Sequence, residues 1–477
     1  MADPHLRRPA PTPRAHLASV PVYVPGRSAE AAMAEHGITR AVKLASNEVP
    51  FGPLPGIAEA VAAAMNDTSR YADHDSDELA DAYARTLGLT RDHVAVGPGS
   101  VGLLQQLTLA YAGPDDEVLY PWPSFIAYPQ FSGVVAATRV VVPVRRFSID
   151  VEAILDAITS HTRVIFIANP NNPISGALRR ADLERLMNGV PADCLMVLDE
   201  AYHEFVTGAD VPDALDHLEK FPNLVVLRTF SKAYGMAGMR VGFLIGDPVV
   251  VRAVYATMIP FAVNGPAQAA AMVAMGHDNE VRRRCAIIVA ERQRVAQLLR
   301  RSGLGLPESQ GNFWWLPAGS RSTELAVAME QRGVVVRPFP TGIRVTVGLP
   351  DENAAFLGAL AAVRLADSSV TDEWGAPTGA RAIRTAGLLD GLASAMQRVR
   401  SAPAEADIKG LHNQLAVRLA GLLALLDGVD AIEPLAALGL DGVERLADRL
   451  GALIAELGDD DWTTVDERSS ELLAPFD

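Results

Sequence analysis

The sequence predicts an α/β fold: a large part built on a mostly parallel sheet, a small α+β part, and an all-α extension at the C-terminus. Three observations carry this. Short apolar runs rich in β-branched residues recur across residues 70–274, such as VIFIA at 164–168, LMVL at 195–198 and LVVL at 224–227. Each stops at polar residues, and stretches with helical spacing separate them, which is the alternation of a parallel α/β sheet. Beyond residue 366 the composition turns acidic. Residues 367–477 carry 20 Asp and Glu against 9 Lys and Arg, so −11 of the chain's −15 sits in its last quarter. Such an asymmetry marks a separate module.

Taken in order, residues 1–20 are proline-rich and polar and read as a mobile arm. PVYVPGRS (21–28) reads as an extended segment around Tyr23. VKLASNEVPFGPLP (42–55) has turn chemistry around Asn47. Leu79, Ala80, Tyr83, Ala84 and Leu87 recur at helical spacing. A short strand at 93–96 leads through GPGS into an apolar helix at 101–110, and a strand at 117–120 ends in PWPSFIAYP. The buried runs then end in NPNNPISG, in DEAY and in RTFSK. A long helix at 279–302 precedes SQGNFWWLP and GVVVRPFPTGIRVTVGLPDEN. These readings divide the chain into an arm (1–20), a small domain with a dimer arm (21–69 and 275–366), a large domain (70–274), a linker (367–378) and an acidic helical extension (379–477).

The chemistry collects at strand ends. Lys232 lies just past a buried strand, where α/β proteins place ligands. A solvated loop lysine is the plain alternative. Thr229, Ser231 and Arg240 around it are residue types that grip a phosphate, and a lysine beside a phosphate anchor suits pyridoxal phosphate held as a Schiff base. GPGS at a helix start offers Ser100 and the Val101 N–H to an anion, although a simple strand–turn–helix reads the same way. Asp199 ends an apolar run; it either caps the next helix or serves a ligand at the same strand-end face as Asn172 and Lys232.

TFSKAYGMAGMRVG (229–242) resembles the cofactor-lysine motif of fold-type-I pyridoxal-phosphate aminotransferases, in the branch of histidinol-phosphate and aromatic (phenylalanine-type) enzymes. YVPG, KLASNE, SRYAD, GPGS, NPNNPISG, DEAY and SQGNFWWL match further motifs of that family in order, across about residues 20–365. Ala72, Ile174 and Gly311 stand where the family usually has Pro, Thr and Ala. The resemblance implies that Lys232 is the Schiff-base lysine and proton shuttle. It implies that Thr229, Ser231, Arg240, Ser100 and Val101 hold the cofactor phosphate, and that Tyr71 reaches the phosphate in the other subunit. Phe125 would stack on the pyridine, Asp199 would keep its nitrogen protonated, and Asn172 and Tyr202 would bond its phenolic oxygen. Tyr23, Asn47, Asn172, Arg337 and Arg344 would serve the substrate, with Arg344 taking its acidic group. Trp314 and Trp315 read as core and wall.

The implied activity moves an amino group between an aromatic amino acid and 2-oxoglutarate, in amino-acid biosynthesis, in a cytoplasmic homodimer with shared sites. The alternatives are histidinol-phosphate transamination in histidine biosynthesis, a threonine-phosphate-type decarboxylase using the same cofactor cup, and a non-enzymatic docking role for the acidic tail. Composition sets the outer limits. No apolar run approaches the ~20 residues of a membrane span, and the first 20 residues hold no hydrophobic segment of signal-peptide length. Cys194 and Cys285 lack metal-ligand spacing, and the ten histidines form no H-E-x-x-H pattern. No metal, membrane or nucleic-acid partner is therefore expected; the net charge of −15 opposes the last.

In the extension, Leu411, Leu415, Leu419, Leu422 and Leu426 form an apolar stripe at helical spacing. No catalytic constellation accompanies it. A chain cut within 367–378 is expected to bind cofactor and to run the amino-donor half-reaction within a few-fold of the full chain, read by cofactor absorbance. A soluble, dimeric truncation unable to bind cofactor would place the extension inside the catalytic unit.

Overall fold

A computed structural model describes residues 11–301 and 304–366. The linker and the acidic extension expected from the sequence lie outside them. The chain divides into two compact units. Of the described residues, the first comprises 11–25, Glu48–Val289 and Pro307–Asn312; the second comprises Gly26–Asn47 and the described parts of 290–306 and 313–366. By this contact division residues 21–25, 48–69, 275–289 and 307–312 fall in the first unit; the sequence pattern groups them with the small domain.

Seven strands build the first unit: β1 (Val94–Pro98), β2 (Glu117–Trp122), β3 (Thr138–Pro143), β4 (Thr162–Ala168), β5 (Leu195–Asp199), β6 (Leu224–Thr229) and β7 (Val241–Ile245). Their order in the sheet is β1-β7-β6-β5-β4-β2-β3. β7 runs antiparallel to β1 and β6; the other neighbours pair in parallel. β5, β6 and β7 are buried along their whole length, so their apolar runs are continuous rather than alternating. Helix α1 (Gly99–Tyr111) lays Leu103, Leu104 and Leu107 into one core with Val164, Phe166, Val197, Val225, Leu227 and Leu244. Each such side chain contributes ~1.5–3 kcal/mol by leaving water.

Register fixes what this core presents. Ala168 pairs with Asp199, and Asp199 with Leu227, so β4 and β5 end level with one another and β6 runs on to Thr229. Ligand-bearing residues that follow these strands therefore start from one edge. In the described part of the arm, Ala15–Ser19 makes a 3-10 turn, and His16 Nε2 lies 3.3 Å from the Val134 carbonyl.

The second unit has a three-stranded antiparallel sheet with Gly342–Thr346 between Arg337–Phe339 and Phe313–Pro317. Val42–Lys43 pairs in parallel with Val334–Val335. Trp314 and Trp315 are buried in it, as core and wall residues should be. Trp314 Nε1 donates to the Arg292 carbonyl at 3.0 Å, and its ring stacks on Phe356. Among the described residues no helix is long and apolar enough to cross a membrane.

Gly242 of β7 pairs with Gly97 of β1 and with Thr229 of β6. A Cβ on Gly242 would strike the Ser100 nitrogen and the Gly99 carbonyl carbon, both backbone atoms at the start of α1. Gly242→Ala is therefore expected to force α1 away from the sheet and to cost about 1–3 kcal/mol, as overpacking does. A lower urea midpoint checks this; an unchanged midpoint would contradict the close approach.

Candidate active site

Asp199 is the last residue of β5 and is 6% exposed. Its Oδ2 accepts a hydrogen bond from the Tyr128 hydroxyl at 3.2 Å, while Oδ1 is buried with no hydrogen-bond partner. Burial pushes this carboxyl up to about 6, against the Tyr128 hydrogen bond, the Ala201 backbone and the Lys232 charge. Tyr202 follows within the same loop. Its hydroxyl accepts from Asn172 Nδ2 at 3.1 Å, and the Lys232 ammonium lies 5.9 Å from its ring centroid. Lysine, carboxylate, phenol and amide thus gather at the ends of β4, β5 and β6.

The loop after β4 is tied to the loop after β2. Asn171 Nδ2 donates to the Pro123 carbonyl at 3.0 Å, and Ser124 Oγ donates to Asn171 Oδ1 at 2.8 Å. The pair holds Asn172 and Phe125 at fixed places on neighbouring loops. Phe125 packs edge-on against Tyr128, centroids 5.6 Å apart. Ile174, in place of the family's threonine, is buried apolar core. The next residue, Ser175, has positive φ, and its Oγ accepts the Gly311 N–H at 3.0 Å.

An anion cup forms at the other side of β6. Thr229 Oγ1 donates to Ser231 Oγ at 3.0 Å, and Arg240 Nη1 donates to the same oxygen at 3.2 Å and to the Ala237 carbonyl at 2.9 Å. Arg240 adopts φ 60°, a left-handed conformation unusual for arginine, immediately before β7. Gly99, at φ 75°, opens α1, and a Cβ there would strike the Arg240 guanidinium. Ser100 and Val101 follow in the first turn of α1, whose N–H groups have no partner inside the helix. The hydroxyls, the guanidinium and the helix start are groups that could hold a phosphate.

Behind the strand ends lies a buried ionic cluster that sequence reasoning missed. Arg228 is 7% exposed; its Nε donates to Glu200 Oε2 and its Nη2 to Asp213 Oδ1, each at 2.8 Å. Burial raises the Glu200 carboxyl to about 7, opposed by Arg228. Burial, then Arg228, depress His203 to about 4, which leaves it a neutral neighbour. Glu200, His203 and Asp213 bring potential ligand atoms within 4.8 Å of one another, with the guanidinium as the cation among them. Arg228 and Glu200 directly adjoin Thr229 and Asp199, so the cluster anchors both strand ends. The adjacency was visible in the sequence; the pairing was not.

Tyr71 is 83% exposed and stacks on Phe261 at 4.4 Å; Tyr23 is 47% exposed. Asn47, Arg337 and Arg344 belong to the second unit. There Asn47 is fully buried, its N–H donating to Thr346 Oγ1 at 2.9 Å. Arg344 Nη2 donates to the Ala45 carbonyl at 2.6 Å, and its guanidinium lies 5.8 Å from both the Phe313 and Phe339 rings. Arg337 is its register partner on the neighbouring strand.

Residues 39–359 match the family model for aminotransferase class I and II. The chain belongs to that family. Among similar aminotransferases, the aromatic amino acid aminotransferase of Thermobifida fusca is 48% identical over 351 residues, covering 73% of this chain and 96% of the relative. That of Streptomyces avermitilis is 47% identical over 350 residues, with the same coverage of both. A solved histidinol-phosphate aminotransferase from Sinorhizobium meliloti, in complex with pyridoxal-5'-phosphate, superposes with a TM-score of 0.67. It is 28% identical and covers 74% of this chain and 98% of that one. Aminotransferases of this class are pyridoxal-phosphate enzymes, and the residues present fit that group. The orphaned Asp199 oxygen is an acceptor for a protonated ring nitrogen, and the cup at Gly99, Ser231 and Arg240 suits its phosphate.

Proposed function

We propose that this aminotransferase holds pyridoxal 5'-phosphate on Lys232 and moves the amino group of an aromatic amino acid to 2-oxoglutarate. The buried, partnerless Oδ1 of Asp199 beside Lys232 carries the reading, because an uncompensated carboxylate oxygen is costly unless a cationic donor meets it. The names of the Thermobifida and Streptomyces relatives support the aromatic donor. Histidinol phosphate is the competing donor, favoured by the name of the Sinorhizobium neighbour; both donors are anionic, so Arg337 and Arg344 suit either.

When bound, the cofactor supplies an aldehyde carbon for the amino group and a ring that accepts electrons from the substrate carbon. The chain's residues do the rest. Thr229, Ser231, Arg240, Ser100 and the Val101 N–H bind the phosphate. Asp199 holds the proton on the ring nitrogen, Asn172 and Tyr202 bond the phenolic oxygen, and Phe125 covers the ring. Lys232 Nζ would hold the cofactor through its aldehyde carbon and, when freed, would serve as the base and acid that moves a proton at the substrate carbon. Arg344 takes the substrate's acidic group, and Asn47 and Arg337 assist.

Borohydride reduction is expected to fix pyridoxal on Lys232, and half-reaction absorbance to change with phenylalanine or tyrosine faster than with histidinol phosphate or threonine phosphate. An adduct on another lysine would overturn the mechanism, and preference for a phosphorylated donor would overturn the substrate. Tyr23 and Tyr71, exposed here, are read as completing the site of a second copy. Mixed Lys232→Ala and Tyr71→Ala subunits should then regain activity above either parent. No gain despite proven subunit exchange would sink the shared site.

A further inference from the structure

Two groups assigned to the cofactor ring, Asp199 and Phe125, come from different loops but meet on one side chain. Tyr128 is fully buried at the start of the helix Tyr128–Val134. Its ring stacks on Phe166 of β4, centroids 4.8 Å apart and 15° from parallel, and lies 6.0 Å from Tyr120 of β2. The edge of Phe125 meets it at 5.6 Å and 87°, and its hydroxyl donates to Asp199 Oδ2 at 3.2 Å. Stacking on β4, with the tilted Tyr120 ring of β2 beside it, keeps the ring from turning away. A phenylalanine would fill this place equally well by volume, so the hydroxyl is the informative atom: buried, it costs free energy unless bonded, and it is bonded to Asp199.

We propose that Tyr128 is a positioning residue for the cofactor ring: it occupies Oδ2 of Asp199, leaves Oδ1 for the ring nitrogen, and backs Phe125 as the ring's wall. This rests on the assignment of Asp199 and Phe125 to that ring. Burial, then the neighbouring Asp199, keep the phenol far above its ordinary range, so it stays a donor wherever the enzyme works. The groups facing Asp199 are Tyr128, the Lys232 ammonium and the Ala201 backbone, with Tyr202 beside Tyr128. A hydrogen bond to the ionised carboxylate lowers its pKa. Removing the hydroxyl therefore raises the Asp199 carboxyl, and its protonation sets in at higher pH.

The test uses holoenzyme loaded with cofactor labelled with nitrogen-15 in the ring. In Tyr128→Phe the pH at which the ring-nitrogen signal leaves its protonated position, and the acid limb of kcat, are expected to move up by about one pH unit, the worth of one such hydrogen bond. The KM for the amino donor should stay within a few-fold. Replacing Tyr128 with 3-fluorotyrosine, whose more acidic phenol is a stronger donor, keeps the packing and should move both midpoints the other way. Wild-type midpoints in both variants, with Asp199→Ala abolishing the protonated signal, would overturn the role of Tyr128 while leaving Asp199 in place. A protonated signal that survives Asp199→Ala would instead overturn the assignment of Asp199, and this inference with it.

Discussion

The architecture turns on a carboxylate buried at the end of β5. An ionised group in such a place costs several kcal/mol unless its lone pairs are met. Asp199 receives the Tyr128 hydroxyl and the field of Lys232, and still keeps one oxygen without a partner. That is a poor arrangement for stability alone. It is a good one for a site that completes itself on binding a cationic ring nitrogen, and the rest of the first unit makes it sustainable. Apolar strands on both sides hold β5 in register, and Arg228 neutralises Glu200 directly behind it.

The cluster of Thr229, Ser231 and Arg240 beside Gly99 depends on a departure from parallel order. β7 runs against β1 and β6, and this brings Arg240, just before β7, next to the turn that opens α1. Glycines at 99 and 242 are needed because arginine and helix backbone approach where a Cβ would stand. The left-handed Arg240 is local strain of order 1 kcal/mol, stored at the point where the guanidinium must turn back on Ser231.

The second unit handles its cation differently. Arg344 is buried in the central strand of an antiparallel sheet, bonded to the Ala45 carbonyl and flanked by two phenyl rings. Aromatic faces attract a guanidinium while fixing its plane. Arg337 stands opposite it in register on the neighbouring strand.

Sequence alone determined the family, the α/β class and the residue types at the strand ends, because buried parallel strands write continuous apolar runs and each motif directly follows one. Lys232, Asp199, Asn172, Tyr202 and Arg240 were legible for this reason. β3 and β7 were not. β3 is a half-exposed edge strand, and β7 is hidden within the glycine-rich motif that precedes it. Nor could spacing reveal that Tyr128, in a helix, bonds Asp199 some 71 residues away, or that Arg228 pairs with Glu200 and Asp213. A side chain's identity is local, but its partner is set by strand order and register. Only the folded sheet decided which carboxylate oxygen would be satisfied and which left for a ligand.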